Sequence, residues 1–78
     1  MGQTVLVVDD EVEIADLVEL YLKNEGFAVR KFYNGHDALE CVRTEELDLA
    51  ILDVMLPDID GFTLCARIRE EHFWPIIM

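Results

Sequence analysis

Acidic residues follow two apolar segments of the chain, and this pattern indicates cation binding. Residues 5–8 (Val-Leu-Val-Val) run directly into Asp9 and Asp10, and residues 49–52 (Leu-Ala-Ile-Leu) run into Asp53. If the two segments are neighbouring parallel strands, about 4.8 Å apart, their carboxyl ends place all three acids around one small pocket. Three negative charges in one pocket require a cation, because close like charges repel one another unless they are neutralised. The sequence therefore predicts a cation site at Asp9, Asp10 and Asp53.

Helical periodicity follows the first acidic pair. Apolar residues recur at i, i+3, i+4, i+7 and i+8, which is typical of a helix with one apolar face. These residues are Ile14, Leu17, Val18, Tyr21 and Leu22. Asp10 and Glu13 have the spacing of a capping box, which predicts the start of the helix. Gly26 predicts its end, because glycine readily adopts the left-handed conformation past a helix terminus.

The rest of the chain alternates between strand and helix. Residues 4–8 are almost continuously apolar and predict a central strand, whereas residues 27–32 alternate in polarity and predict an edge strand. A second helix is expected over residues 37–45 and a third after a cap at or near Asp60, before a fourth strand begins at residues 76–78. The expected apolar positions are Ala38, Leu39, Cys41 and Val42 in the second helix and Phe62, Cys65, Ala66 and Ile68 in the third. The order βαβαβαβ predicts an α/β fold, a parallel sheet with helices on both faces.

Composition limits the classes of protein that this chain can represent. Its 78 residues form one small domain at most, and its net charge of −11 argues against direct nucleic-acid binding, which needs basic patches. No segment approaches the roughly 20 apolar residues of a membrane span, and no leader pattern precedes the first strand, so we expect a cytoplasmic protein without membrane contact. Cys41 and Cys65 are isolated and are expected to be reduced, small apolar residues. His36 and His72 are expected at the surface, without a catalytic role.

Three separated motifs carry a resemblance to a known family. They are Val-Leu-Val-Val-Asp9-Asp10-Glu11, the apolar strand that ends in Asp53, and Met-Leu-Pro-Asp-Ile-Asp-Gly at residues 55–61. In this order and spacing they resemble the receiver domain of two-component response regulators, from the first strand into the fourth. Residues 13–24 are similar to the first helix of winged-helix transcriptional regulators of the vancomycin-resistance type. The fold implied by the resemblance is a flavodoxin-like parallel sheet.

The resemblance implies a role for each site residue. Asp53 would be the phosphoacceptor, attacking a phosphohistidine of a sensor histidine kinase to form an acyl phosphate. Asp10 would be a direct ligand of Mg²⁺, Asp9 the second acid of the site, and Met55 the donor of a backbone carbonyl; Asp53 would share the same ion. The chain would then be a phosphoacceptor that controls transcription, and not an enzyme.

Other interpretations of these residues remain open at this stage. Asp9 and Asp10 could form only a helix-capping turn, and Asp53 could be only a turn residue. A phosphatase of the aspartyl-phosphate type would need a second Asp two residues after the nucleophile, where this chain has Met55. A flavin-binding module would need a Ser/Thr/Gly-rich phosphate loop after the first strand, and the acids there would repel phosphate.

The chain differs from the family pattern in its length. A whole receiver would add a small hydroxyl residue after the fourth strand, a further helix, a fifth strand ending in a phosphate-binding Lys, and a last helix. We therefore expect residues 1–78 to be an N-terminal fragment of a receiver domain. In the longer regulator, DNA would be bound only by a separate domain that these residues do not include. The alternative function is a half-sheet that forms a homo-oligomer and is not competent for signalling, because the first helix lacks a neighbour and residues 76–78 form an open edge.

Overall fold

Four parallel strands form one sheet in the computed structural model, which describes residues 2–78. The strands are β1 (Thr4–Val8), β2 (Ala28–Phe32), β3 (Leu49–Leu52) and β4 (Ile76–Ile77), and their spatial order is β2-β1-β3-β4. The predicted βαβαβαβ order, the central position of β1 and the edge position of β2 are confirmed. β1 is buried from Val5 to Val8, as expected for a strand covered on both faces.

The register of the two central strands brings their carboxyl ends to the same level. Val8 of β1 is opposite Leu52 of β3, so Asp9 and Asp53 follow the strands side by side. Hydrogen bonding continues past the strand ends, because the Asp53 amide donates to the Val8 carbonyl at 2.9 Å. The Asp9 amide donates to the Phe32 carbonyl of β2 at 3.1 Å. These bonds fix the backbone from which both acidic side chains project.

The helices lie on the two faces of this sheet. They are α1 (Val12–Asn24), α2 (Gly35–Thr44) and α3 (Gly61–Arg69). α2 and α3 share one buried cluster with alternate residues of the central strands, whereas α1 contributes nothing to that cluster and packs beside β1 and β2 on the other face. The members of the cluster from the strands are Leu6, Val8, Ala50 and Leu52, and those from α2 and α3 are Ala38, Leu39, Cys41, Val42, Leu64 and Ile68. Within residues 2–78, no helix combines the length and the apolar character that crossing a bilayer requires.

The predicted capping box of α1 is wrong. The helix begins at Val12, its N-cap residue is Glu11, and no side chain caps it. The predicted end is confirmed, since Gly26 has φ +91°. The predicted apolar face is only partly covered: Val18 and Leu22 are half-buried, but Leu17 is 52% exposed and Tyr21 65% exposed. No second helix lies on this face of the sheet within residues 2–78, which leaves these side chains in contact with solvent.

The other two helices start at side-chain caps. Asn34 Oδ1 accepts a hydrogen bond from the Asp37 amide at 2.9 Å, so α2 begins two residues before its predicted start. Asp60 Oδ1 accepts from the Thr63 amide at 2.8 Å, which confirms the predicted cap of α3. The predicted core of α2 is confirmed, because Ala38, Leu39, Cys41 and Val42 are all buried.

The predicted core of α3 is partly wrong. Leu64 is completely buried, together with Ile68, whereas Phe62 is 65% exposed and Ala66 is exposed. The buried face of α3 contains Gly61, Leu64 and Ile68, which lie at i, i+3 and i+7, so this face and not the one that begins at Phe62 is turned toward the sheet. Cys65 is half-buried, and both cysteines are free thiols.

Candidate metal centre

The structure brings Asp9, Asp10 and Asp53 together at the carboxyl edge of the sheet. One carboxylate oxygen from each residue lies within 4.8 Å of the others. Asp9 and Asp53 are half-buried, and Asp10 is exposed. Two oxygens bound to the same Mg²⁺ at about 2.1 Å can be at most ~4.2 Å apart. Small side-chain rotations would therefore bring all three carboxylates within reach of one small cation.

Asp9 and Asp10 have different local roles. Asp9 Oδ1 accepts a hydrogen bond from the Glu11 amide at 2.9 Å, so Asp9 holds the turn between β1 and α1. Asp10 was the predicted capping residue, but α1 has no side-chain cap. The turn interpretation therefore applies to Asp9, and it leaves the Asp10 carboxylate available for a ligand.

The charges at this edge are not balanced by a basic side chain. Within residues 2–78, none of the ion pairs includes Asp9, Asp10 or Asp53. Burial raises the pKa of Asp9, the hydrogen bond from the Glu11 amide opposes this, and the nearby charges of Asp53 and Asp10 raise the pKa further. Close like charges of this kind disfavour ionisation unless a cation neutralises them. A donor set of three carboxylates suits a hard divalent ion such as Mg²⁺, which also keeps several waters.

The loop that leaves Asp53 is held close to the strand end. The Gly61 amide donates to the Val54 carbonyl at 2.7 Å, and the Met55 amide lies 3.4 Å from Asp53 Oδ1. A Cβ atom on Gly61 would collide with the Asp53 carbonyl oxygen and would lie 2.8 Å from Val54 Cα. Only glycine therefore allows α3 to start this close to the site. The Met55 side chain is 79% exposed, and its predicted contribution to the site is its backbone carbonyl.

Two residues that shape the site were missed by the sequence analysis. The glycine that follows the Asp60 cap indicates that the backbone is crowded at Gly61. That the crowding atom is the Asp53 carbonyl oxygen is visible only in the structure. Asp58 has no local signal, because its carboxylate accepts hydrogen bonds from the amides of Gly35 and His36 in α2, both at 2.9 Å. The sequence separation of more than 20 residues places this contact beyond any local pattern.

Comparison with known proteins identifies related sequences over the full chain. The model of a family described as "Response regulator receiver domain" matches residues 5–78. The regulatory protein VanR of Enterococcus faecium is 59% identical over 78 residues, which are 100% of this chain and 34% of that protein. VanRc of Enterococcus gallinarum is 56% identical over the same length and share. The chain thus spans about a third of the length of these curated relatives.

Solved structures share the fold. The chemotaxis response regulator CheY4 of Vibrio cholerae superposes with a TM-score of 0.94 at 30% identity, covering 97% of this chain and 66% of that one. The response regulator TrrA of Thermotoga maritima, solved in complex with Mg²⁺ and BeF, has a TM-score of 0.85 at 36% identity, covering 88% of this chain and 60% of that one. The fold around the acidic cluster is therefore that of proteins solved as response regulators.

Proposed function

The chain belongs to the response regulator receiver domain family, and on this premise we propose that Asp53 accepts a phosphoryl group from a sensor histidine kinase. The observation that supports the proposal most strongly is the convergence of Asp9, Asp10 and Asp53, with oxygens within 4.8 Å of one another. In the whole regulator, this modification would control transcription; the relatives bear the name of regulatory proteins, which supports a regulatory role.

Phosphoryl transfer to Asp53 is a substitution at phosphorus. An Asp53 carboxylate oxygen forms a bond to the phosphorus of the kinase phosphohistidine as the P–N bond breaks, and that electron pair returns to the imidazole nitrogen. The product is an acyl phosphate. Asp53 is half-buried at the end of β3, where its amide donates a hydrogen bond to the Val8 carbonyl and fixes the backbone that carries the side chain. An oxygen of the Asp53 carboxylate is the nucleophile. The negative charges of Asp9 and Asp10 must be neutralised before a phosphate dianion can approach it.

We propose that Asp10, Asp9, Asp53 and the Met55 carbonyl would hold Mg²⁺. When bound, the ion would neutralise the carboxylates and the negative charge that develops on the transferred phosphoryl group. Asp10 is exposed and uncommitted to the α1 cap, which suits direct ligation. Asp9 Oδ1 already accepts a hydrogen bond from the Glu11 amide, so its other carboxylate oxygen would bind the ion or one of the ion's waters. The related structure with Mg²⁺ and BeF supports this assignment by analogy.

Beryllofluoride, which imitates a bound phosphoryl group, tests the proposal. With Mg²⁺ present, we expect amide chemical shifts to change at residues 9–10 and 53–61 in the wild type and to stay constant in Asp53→Asn. Asp48→Asn is the matched control, since Asp48 Oδ2 accepts from the Thr4 amide at the opposite end of the strands. Equal responses of wild type and Asp53→Asn would contradict a phosphoacceptor role for Asp53. A response to Mg²⁺ without a response to beryllofluoride would leave only a metal site.

We also propose a second property, which the exposed face of α1 favours. Leu17 and Tyr21 on α1 and Ile77 on β4 are each more than half exposed, so an apolar surface remains open beside the sheet. Residues 1–78 would bury this surface by forming a homo-oligomer. This association concerns the isolated chain and is independent of phosphate acceptance at the acidic cluster.

A further inference from the structure

The loop between β3 and α3 is fastened to the start of α2 by one carboxylate. Asp58 Oδ1 accepts from the Gly35 amide at 2.9 Å, and Asp58 Oδ2 accepts from the His36 amide at 2.9 Å. Asp58 Oδ2 also lies 2.7 Å from His36 Nδ1, and the Asp58 side chain is only 21% exposed. One side chain therefore binds two free amides at the helix N-terminus and the ring of a neighbouring residue.

Packing reinforces this polar contact. Ile59 lies so close to Gly35 that a Cβ atom on this glycine would collide with Ile59 Cγ2. Ile59 is half-buried and packs against the core cluster that α2 and α3 share with the sheet. The far end of the loop is thus held in place by hydrogen bonds from Asp58 and by the side chain of Ile59.

The Asp58 carboxylate is well suited to bind the start of α2. Burial would raise the pKa of its carboxyl, but hydrogen bonds from the Gly35 and His36 amides outweigh burial and hold the pKa below its usual value. The ionised carboxylate offers one oxygen to each of two adjacent amides, and a negative charge at a helix N-terminus is favourable. Here the acid comes from another element of the fold, so the cap also connects two elements.

The same loop carries Met55. At its near end the loop is held by the Gly61 amide, which donates to the Val54 carbonyl at 2.7 Å. Met55 lies between this anchor and the Asp58 contact, and its exposed side chain provides no packing of its own. The position of the Met55 carbonyl therefore depends on these two anchors together with its neighbour Leu56, which packs against the core cluster, and with the Met55 amide, which lies 3.4 Å from Asp53 Oδ1.

We infer that Asp58 is a positioning residue, which holds the loop against α2 and so keeps the Met55 carbonyl where it would help to hold the ion proposed for Asp10 and Asp53. The inference rests on the proposed metal site. It makes the start of α2 a part of the structure on which Mg²⁺ affinity depends, although α2 provides none of the proposed ligands.

The test measures Mg²⁺ binding and loop mobility in the same variants. We expect Asp58→Ala to weaken Mg²⁺ binding severalfold and, without metal, to speed amide hydrogen exchange at residues 54–60 and at Gly35 and His36. Asp58→Asn, which keeps one carbonyl oxygen as an acceptor and is the safer variant for folding, should lie between Asp58→Ala and wild type. Asp48→Ala is the matched control: it removes the same charge and a carboxylate-to-amide hydrogen bond of 2.8 Å at the opposite end of the strands.

The outcomes separate three explanations. The inference is overturned if Asp58→Ala binds Mg²⁺ and exchanges its loop amides as Asp48→Ala does. It is also overturned if Mg²⁺ binding weakens while loop exchange stays at the wild-type rate, because a lost charge would then explain the effect. If the wild type binds no Mg²⁺, the proposed function fails. If the loop amides of Asp58→Ala then also exchange at the wild-type rate, the inference that Asp58 holds the loop against α2 is overturned as well.

Discussion

At the scale of single residues, the site depends on how closely the backbone at Gly61 approaches Asp53. A Cβ at Gly61 would meet the Asp53 carbonyl oxygen and would also lie 2.9 Å from Met78 Cε. The obstructing atoms include main-chain atoms, which cannot rotate away as the tip of a flexible side chain can. An added methyl group must therefore move either the start of α3 or the end of β3.

We predict that Gly61→Ala weakens Mg²⁺ binding by about tenfold or more, because it displaces the backbone that carries the Asp53 carboxylate. Calorimetric titration with Mg²⁺ measures this change. Gly26→Ala is the matched control, since Gly26 has φ +91° at the far end of α1. That control should lose roughly 1 kcal/mol of folding free energy to backbone strain and keep its Mg²⁺ affinity. Equal Mg²⁺ affinities for Gly61→Ala and wild type would contradict this account of the site.

At the scale of elements, α1 is connected to the sheet by charge as well as by packing. Lys31 Nζ on β2 lies 2.7 Å from Asp16 Oδ1 and 2.7 Å from Glu19 Oε1, both on α1. The hydrogen bond from Lys31 lowers the pKa of Asp16, helped by the Tyr33 hydroxyl, and the same lysine lowers the pKa of Glu19. In return the two carboxylates raise the pKa of Lys31.

This connection predicts a dependence of stability on pH. Carboxyl groups with a lowered folded-state pKa stabilise the fold above their ordinary values of 3.8 and 4.5, and this stabilisation is lost as the pH falls through the folded-state values. We expect Lys31→Met to be less stable than wild type at about pH 7 and the difference to shrink near pH 3. Urea unfolding followed by circular dichroism at both pH values measures it.

Lys23→Met is the control for this experiment. Lys23 Nζ lies 3.2 Å from Glu19 Oε2, and the Lys23 side chain is 58% exposed. Its loss should therefore change the free energy of unfolding little at either pH. A stability difference for Lys31→Met that is the same at both pH values would show that the two carboxylates are not the groups responsible.

The elements differ in how far the sequence could predict them. Continuous apolar runs were sufficient for β1 and β3. β1 is buried on both faces, so it has no polar side to confuse the pattern, and β3 is apolar throughout although its residues alternate between half-buried and buried. The end of α1 followed from Gly26, but its start did not follow from Asp10, since Asp9 makes the local hydrogen bond to the Glu11 amide. Leu64 was missed because the predicted face of α3 began at Phe62, whereas the buried face runs through Gly61, Leu64 and Ile68.

The site, too, could be predicted from the sequence only where local patterns determine it. Its acidic residues could be proposed from strand ends alone, because parallel strands bring their carboxyl ends to one edge. The Asp58 contact with α2 could not, because the partners become neighbours only when the β3–α3 loop folds over the start of that helix.

At the scale of the whole molecule, the two faces of the sheet are covered unequally. The face with α2 and α3 contains a continuous core, whereas the α1 face has a single helix within residues 2–78 and leaves Leu17 52% exposed. An open apolar surface of this kind favours association. The high negative charge of −11 opposes it through repulsion between copies, so association should strengthen with added salt.

We predict that residues 1–78 form a dimer or larger oligomer at tens of micromolar, an order-of-magnitude choice suited to weak association. Sedimentation velocity measures the state, and Leu17→Gln should shift it toward monomer. Phe62→Gln is the control, because Phe62 is 65% exposed on α3, on the opposite side of the sheet. A wild type that stays monomeric over this range would contradict the proposed association.

The central feature of the proposed site is one divalent ion that Asp10 and Asp53 would share. Titration of the wild type and of Asp10→Asn, Asp53→Asn and Asp48→Asn with Mg²⁺, followed by amide chemical shifts, tests this directly. We predict one saturable site in wild type and Asp48→Asn, with shifts centred on residues 9–10 and 53–55, and binding at least about tenfold weaker in the other two variants. Mg²⁺ affinities that are the same in all four proteins would contradict it.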